Sequence, residues 1–189
     1  MGQKVAGLFR LAPSLLTRTI ERQDNDLPKD AASTRANILA AAVQTLQRGG
    51  VEGFTLDAVA RRAGVVKGLI LYHYASRGRL LRAAASQVAA SRSAAIERAL
   101  ASAPGAGGSD ACWEELRRQA EDGTARAWLG LCAAGLIDRS ARNAHFEDAA
   151  RDAVIDGTAI ALATGVPLAD AKDAYDALWL TLLEVTEKS

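Results

Sequence analysis

Cationic and polar aromatic side chains lie close together in one short segment, residues 55–77, which contains Lys67, Tyr72, His73 and Arg77. Ammonium and guanidinium groups donate hydrogen bonds to phosphate oxygens and to base-edge acceptors, and Tyr and His can do the same. This combination of residue types favours binding of a polyanion such as DNA. An ordinary packed role for His73 is the alternative.

The net charge of +1 conceals an uneven distribution along the chain. Residues 1–82 contain 13 Lys or Arg and 6 Asp or Glu, whereas residues 83–189 contain 10 and 16. The first part is therefore basic and suits a polyanion, and the second part is acidic and does not. A chance imbalance of solvated charges is the alternative interpretation.

Other kinds of chemistry have little support. Cys112, Cys132, His73 and His145 do not have the spacing of a metal site, and no paired carboxylates, Cys–His pair or Gly-rich phosphate loop is present. We therefore predict a protein without metal, cofactor or catalytic residues, which is not an enzyme. With no disulfide framework and no apolar run of ~18 residues, a cytoplasmic location without membrane contact is expected.

Helical periodicity dominates the elements that must position the segment. A first helix is expected from an N-cap at Ser33 or Thr34 to Gly49, with Ile38 and Leu46 on its apolar stripe. Thr55 should cap a short second helix that ends at Gly64, and a third helix should run from Val66 to His73. Ser76 should cap a long fourth helix.

Residues 102–110, rich in Gly and Ser, are expected to form a flexible connection. Further amphipathic helices are predicted at residues 111–122, 124–138, 140–164 and 168–187, and no segment has the period of a strand. We predict an all-α fold with a flexible N-terminal arm at residues 1–31, a helix-turn-helix head at residues 32–80, and a helical ligand-sensing and dimerisation domain at residues 81–189. The arm's Arg10, Arg18 and Arg22 could reach a minor groove, although a disordered tail is the favoured alternative.

The two helices around Gly64 have the spacing of a helix-turn-helix, in which the second helix can enter the major groove. The residues of that helix expected to face wholly or partly outward are Val66, Lys67, Gly68, Leu69, Leu71 and Tyr72.

The segment TLDAVARRAGVVKGLILYHYASRGRLL resembles the DNA-binding segment of the tetracycline-repressor (TetR) family. The matching positions are Thr55, Val59, Ala60, Ala63, Gly64, Val65, Lys67, Gly68, Tyr72, His73 and Ser76, with Arg77 in place of Lys. The resemblance covers about residues 34–82. It implies that Thr55, Lys67, Tyr72, His73 and Arg77 contact DNA, most of them at phosphates.

Two departures from the family pattern alter the expected DNA contacts. Val66 stands where Ser or Thr is usual, which removes a helix cap, and Leu71 stands where a Tyr is common. We predict that Leu69 and Leu71 contact thymine methyl groups and that Lys67 is the main polar contact to a base, most naturally guanine. One or two of the arginines Arg61, Arg62, Arg79 and Arg82 are expected to contact phosphate, and a merely solvated face is the alternative.

The three Trp residues all lie in the second half, where the resemblance implies a pocket for a small apolar or amphipathic effector. The candidate wall residues are Trp113, Trp128, Cys132 and Phe146, and plain core packing is the alternative for each.

Apolar residues of the last two helices exceed what one protomer should need, which favours a homodimer built through those helices. The residues in question are Val154, Ile155, Ala159, Leu162, Ala163, Tyr175, Leu178, Trp179, Leu182 and Leu183. Together with the resemblance, this predicts a ligand-responsive repressor that binds a palindromic operator in double-stranded DNA. The rival is a helical small-molecule carrier or sensor whose head no longer binds DNA.

Overall fold

The computed structural model describes the backbone of residues 13–137 and 146–186 and the side chains of residues 31–137 and 150–182. Every regular element in these backbone ranges is an α-helix, so the predicted all-α class is confirmed. None of the helices in the described part of the chain is long and apolar enough to cross a bilayer. The helices are α1 (Pro13–Gly49), α2 (Leu56–Ala63), α3 (Lys67–Tyr74), α4 (Arg77–Leu100), α5 (Ala106–Glu121), α6 (Thr124–Ala133), α7 (Phe146–Thr164) and α8 (Leu168–Thr186).

The chain divides into two compact units, residues 1–37 and residues 38–189. Helix α1 begins in the first unit, at Pro13, a residue that suits the first helical position because its missing N–H would have no partner there. The predicted start at Ser33 or Thr34 is therefore wrong. The segment between Pro13 and Ser33 contains no Gly, and its Leu, Arg and Ala residues are good helix formers, although Pro28 within it removes one N–H donor.

Side-chain capping bonds start α2 and α4, as predicted, and α3 begins without one. The Thr55 hydroxyl accepts a hydrogen bond from the Ala58 amide at 3.1 Å and starts α2. Gly64, with φ of 67°, ends α2 in the left-handed conformation that Gly adopts at least cost. Val66 stands at the N-cap of α3 without a side-chain hydrogen bond, and the Ser76 hydroxyl caps α4 by accepting from the Arg79 amide at 3.1 Å.

One apolar cluster joins the head to the helices behind it. Phe54, Val59 and Ile70 are fully buried in it beside Ile38 and Leu46 of α1. The start of α4 and two residues of α6 complete the cluster: Leu80, Leu81, Ala84, Ala85, Val88, Ala127 and Leu131. Helix α6 therefore packs against the head through Ala127 and Leu131.

A second apolar cluster lies between the far end of α4 and helices α5, α7 and α8. Tyr175 is fully buried between Trp113, at a ring distance of 5.5 Å, and Trp179, at 6.0 Å. Its hydroxyl donates to the Ser109 carbonyl at 2.7 Å. Burial raises the pKa of Tyr175, and burial likewise raises the pKa of the neighbouring Cys112 thiol.

Two boundaries in the second half differ from the prediction. The expected connection at residues 102–110 is wrong in its second part, because α5 already begins at Ala106, where Tyr175 holds the Ser109 carbonyl. Helix α6 ends at Ala133 rather than near residue 138, and Gly135 follows with φ of 66°. The predicted helical residues 140–145 lie outside the described ranges.

Candidate nucleic-acid interface

Helix α3 is attached to the protein along one side only. Ile70 is fully buried and Tyr74 nearly so, and these two residues anchor the helix in the first apolar cluster. Elsewhere the helix is solvent-exposed, with 81% of Tyr72 and 40% of Leu71 accessible, and Val66, the N-cap before it, is 74% accessible. A helix held in this way presents its outer side to a partner of suitable shape.

Two residues predicted to face outward are less exposed than their neighbours. Leu69 is only partly accessible, as is His73, whose ring lies edge-on to Tyr72 at 5.2 Å. Leu69 therefore has less surface to offer a partner than Leu71. The contact roles predicted for Leu69 and His73 remain predictions.

Lys67 is paired within the head. Its ammonium Nζ lies 3.2 Å from Oδ2 of Asp57 on α2, and both side chains are at least half exposed. An exposed pair of this kind contributes about 0–1 kcal/mol and is easily exchanged for another anion. The geometry leaves Lys67 available to a phosphate or a base edge, but in competition with Asp57.

Arg77 has a structural contact that the sequence did not indicate. Its Nε donates to the Phe54 carbonyl at 2.8 Å, and its guanidinium lies 5.7 Å from the centre of the Phe54 ring. These contacts hold the start of α4 against the loop before α2. The predicted phosphate contact of Arg77 would have to be made by the remaining guanidinium nitrogens.

Gly68 has no packing reason to be glycine. It lies exposed in the first turn of α3, and a Cβ placed there would have no neighbour within 4 Å. Glycine inside a helix costs roughly 0.5–1 kcal/mol relative to alanine. Close approach of another molecule to the helix backbone would account for it.

The head is electropositive. Residues 38–84 contain seven Lys or Arg and two Asp or Glu. Arg61, Arg79 and Arg82 are exposed, whereas Arg62 is partly buried and donates from Nε to the Thr45 hydroxyl at 3.3 Å. The exposed cations around α2 and α4 create a field that attracts a polyanion.

The four candidate effector-binding residues have different surroundings. Trp113 is packed in the second apolar cluster with Tyr175, whereas Trp128 is buried against the guanidinium of Arg92 at 4.6 Å. Cys132 is partly accessible, and the side chain of Phe146 lies outside the described residues, as does His145. The pocket predicted for these residues stays a prediction.

Sequence reasoning missed a buried charged pair behind the head. Arg92 on α4 is 4% exposed, and its guanidinium lies 3.0 Å from the carboxylate of Asp156 on α7. Val88, Arg92 and Ile96 follow one another at four-residue steps, so the spacing alone places Arg92 on the buried stripe of α4. The apolar stripe of α4 could therefore have indicated, from the sequence, that Arg92 is buried.

An open groove of about 600 Å³ runs between α4 and α5. Its walls are charged: Arg118 donates to Glu115 at 2.5 Å, and although partial burial opposes it, hydrogen bonding by Arg118 and Gln119 lowers the pKa of Glu115. The lining residues are Ala95, Arg98, Ala99, Ser102, Ala111, Glu114, Glu115 and Arg118.

Helices α2 and α3, joined at Gly64, form a helix-turn-helix with one exposed face on α3. Residues 38–84 match the family model for bacterial regulatory proteins of the tetR family. This match covers about a quarter of the chain, so the head is similar to the regulatory proteins of that family. No curated protein matches the chain.

Two solved structures show the same fold. The multidrug binding protein EbrR, crystallised with imidazole, is 24% identical with a TM-score of 0.51, and the match covers 78% of this chain and 88% of that one. A structure described as the molecular basis for control of antibiotic production by bacterial hormones is 21% identical with a TM-score of 0.50. Its match covers 80% of this chain and 96% of that one.

Proposed function

We propose that the protein is a ligand-responsive repressor that binds a palindromic operator as a homodimer. The observation that carries the DNA-binding part is the one-sided attachment of α3, which buries Ile70 and exposes Val66 and Tyr72 on a basic head. A two-fold dimer would place two such helices one or more DNA turns apart, which is why the operator should be palindromic.

Exposed apolar side chains on α7 and α8 support the dimer. Ile160, Leu178 and Leu180 are 45%, 51% and 61% accessible in the single chain, and covering them would be favourable. Five of the ten residues first expected in the interface are instead buried within the protomer. These are Val154, Ile155, Ala159, Tyr175 and Trp179.

Light scattering after size exclusion tests the dimer directly. The expected result is a dimer at micromolar concentration, which Leu178→Glu shifts toward monomer because a charge would be buried in the interface. Ser86→Glu, an exposed position on α4, is the control of equal charge. A monomeric parent protein would contradict the homodimer.

DNA binding is tested by selection from a pool of random duplexes, followed by titration at several salt concentrations. A repressor should enrich a two-fold symmetric site, with an affinity that falls steeply with salt because phosphate contacts release counterions. The enriched site should bind at least ~10³-fold more tightly than random duplex. Equal binding to all duplexes would contradict an operator-specific function.

Ligand control is proposed to act through α4. This helix contributes Leu80 and Leu81 to the first apolar cluster and Ile96 to the second, so a displacement at its far end reaches the head. Because Trp113, Trp128 and Trp179 are all buried in the second half, intrinsic fluorescence should report a bound amphipathic compound. A true effector must also change the dissociation constant for DNA, because coupling requires different affinities for the two states.

A second function, a small-molecule carrier whose head no longer binds DNA, is favoured by the Lys67–Asp57 pair and the uncapped Val66. In that case the selection would enrich no site, while ligands would still alter the fluorescence of the buried Trp residues.

A further inference from the structure

The outer side of α3 combines two hydrogen-bond donors, Lys67 and Tyr72, with exposed apolar side chains. Val66 is 74% exposed and Leu71 40% exposed, and both side chains are apolar. The cation between them in sequence, Lys67, lies 3.2 Å from Asp57. Recognition by this side of α3 can therefore include apolar contact as well as hydrogen bonds from Lys67 and Tyr72.

An exposed apolar surface is costly in water and indicates a partner. The surroundings identify the class of partner, because the exposed Arg61, Arg79 and Arg82 of the same head attract a polyanion and disfavour a basic or neutral protein surface. In the major groove, the apolar group that distinguishes one base pair from another is the C5-methyl group of thymine.

We propose that Val66 and Leu71 recognise thymine methyl groups in the major groove and thereby determine the operator's sequence. This inference rests on the proposed function and specifies the DNA that the head prefers. It differs from the sequence-based expectation in one respect: Val66, at the N-cap where helix N-terminal residues meet base edges, is proposed in place of the partly buried Leu69.

The test begins with the duplex enriched by the full-length protein. The thymine positions of the half-site are tested one at a time. At each position the thymine is replaced by deoxyuridine, which lacks only the methyl group, and the same replacement is made in both half-sites. At the thymines that α3 contacts, binding should weaken about fourfold for each methyl lost. Thymines in the flanks should tolerate the replacement without change.

Variants then assign each methyl group to a residue. Val66→Ala should bind the parent duplex more weakly and should lose no further affinity when its own thymine becomes deoxyuridine, since the contact is already absent; Leu71→Ala should behave likewise at a different thymine. Val166→Ala makes the same change at an exposed valine in the turn between α7 and α8, which is 40% accessible. It is the control and should bind every duplex as the parent does.

Three results would overturn the proposal. If an enriched site shows no loss with deoxyuridine at any position, the methyl contacts are wrong although the proposed function stands. The same holds if the losses are identical in the parent and both variants. If no duplex is enriched, both the proposal and the operator-binding function fail, and the apolar side of α3 belongs to a protein interface.

Discussion

Lys67 Nζ and Asp57 Oδ2 lie 3.2 Å apart, across the turn that separates α3 from α2. The carboxylate thus lies beside the ammonium group, where it would compete with a DNA phosphate for the same charge. We therefore expect Asp57 to weaken nonspecific association of DNA with the head.

Replacing Asp57 should therefore strengthen DNA binding. Asp57→Asn is expected to change the free energy of unfolding by less than about 1 kcal/mol, since the pair is exposed. It should raise the affinity for any duplex several-fold at low salt, as measured by fluorescence anisotropy. Glu52→Gln, at another exposed acidic residue of the head, makes the same change in charge. An equal gain in both variants would show that only net charge matters.

Gly68→Ala should separate stability from DNA binding. The added methyl group meets no atom within 4 Å, and alanine favours a helix, so thermal unfolding should shift upward by an amount equivalent to roughly 0.5–1 kcal/mol. The same methyl group would keep DNA away from the α3 backbone, and affinity for the enriched duplex should fall at least tenfold. Unchanged affinity would mean that DNA does not approach this turn closely.

Gly123, in the turn between α5 and α6, tests how that turn packs on α1. Its φ is 83°, and a Cβ would overlap the Gln47 backbone carbonyl. Gly165, with φ of 86° and open space around it, is the matched control. Gly165→Ala should cost about 1–2 kcal/mol for the left-handed conformation alone. In urea unfolding, Gly123→Ala should cost clearly more, and similar losses for both would contradict the close contact.

The buried pair of Arg92 and Asp156 should show strong coupling. Asp156→Ala leaves a buried guanidinium without its carboxylate and is expected to cost about 3 kcal/mol of unfolding free energy. Arg92→Met combined with Asp156→Leu should cost less than Asp156→Ala alone, because the charges are removed together. A double variant as unstable as the sum of the single variants would rule out this coupling.

Cys112 should make the protein less stable in alkali. Because burial raises the pKa of its thiol in the folded state, the unfolded state ionises first, and stability is lost as the pH rises through the ordinary thiol range of about 8.5. Urea unfolding at pH 7 and pH 9.5 should show a larger loss for the parent than for Cys112→Ala. A thiol reagent should also modify Cys112 only after unfolding.

How far the sequence predicted the fold depends on the separation of the interacting residues. The caps at Thr55, Gly64 and Ser76 were predictable because each bond joins residues within a few positions. The start of α1 was not, since a polar segment can be helical or not without any change in its local pattern.

Contacts between residues that are far apart in the sequence could not be predicted. Lys67 and Asp57 are ten residues apart, and Arg92 and Asp156 are separated by 64. Their partnership depends on how the helices pack, which no periodicity specifies. The sequence predicted that Val66 is exposed. That Val66 is more exposed than Leu69 depends on how α3 packs and could not be predicted.

The packing of α6 against the head has a consequence for engineering. Ala127 and Leu131 close the same cluster that holds Phe54 and Ile70. A chimera that joins only the amino-terminal helices to a foreign sensor domain would expose the apolar residues that α6 covers to water. The transferred segment must therefore include α6 or a helix that packs in the same way.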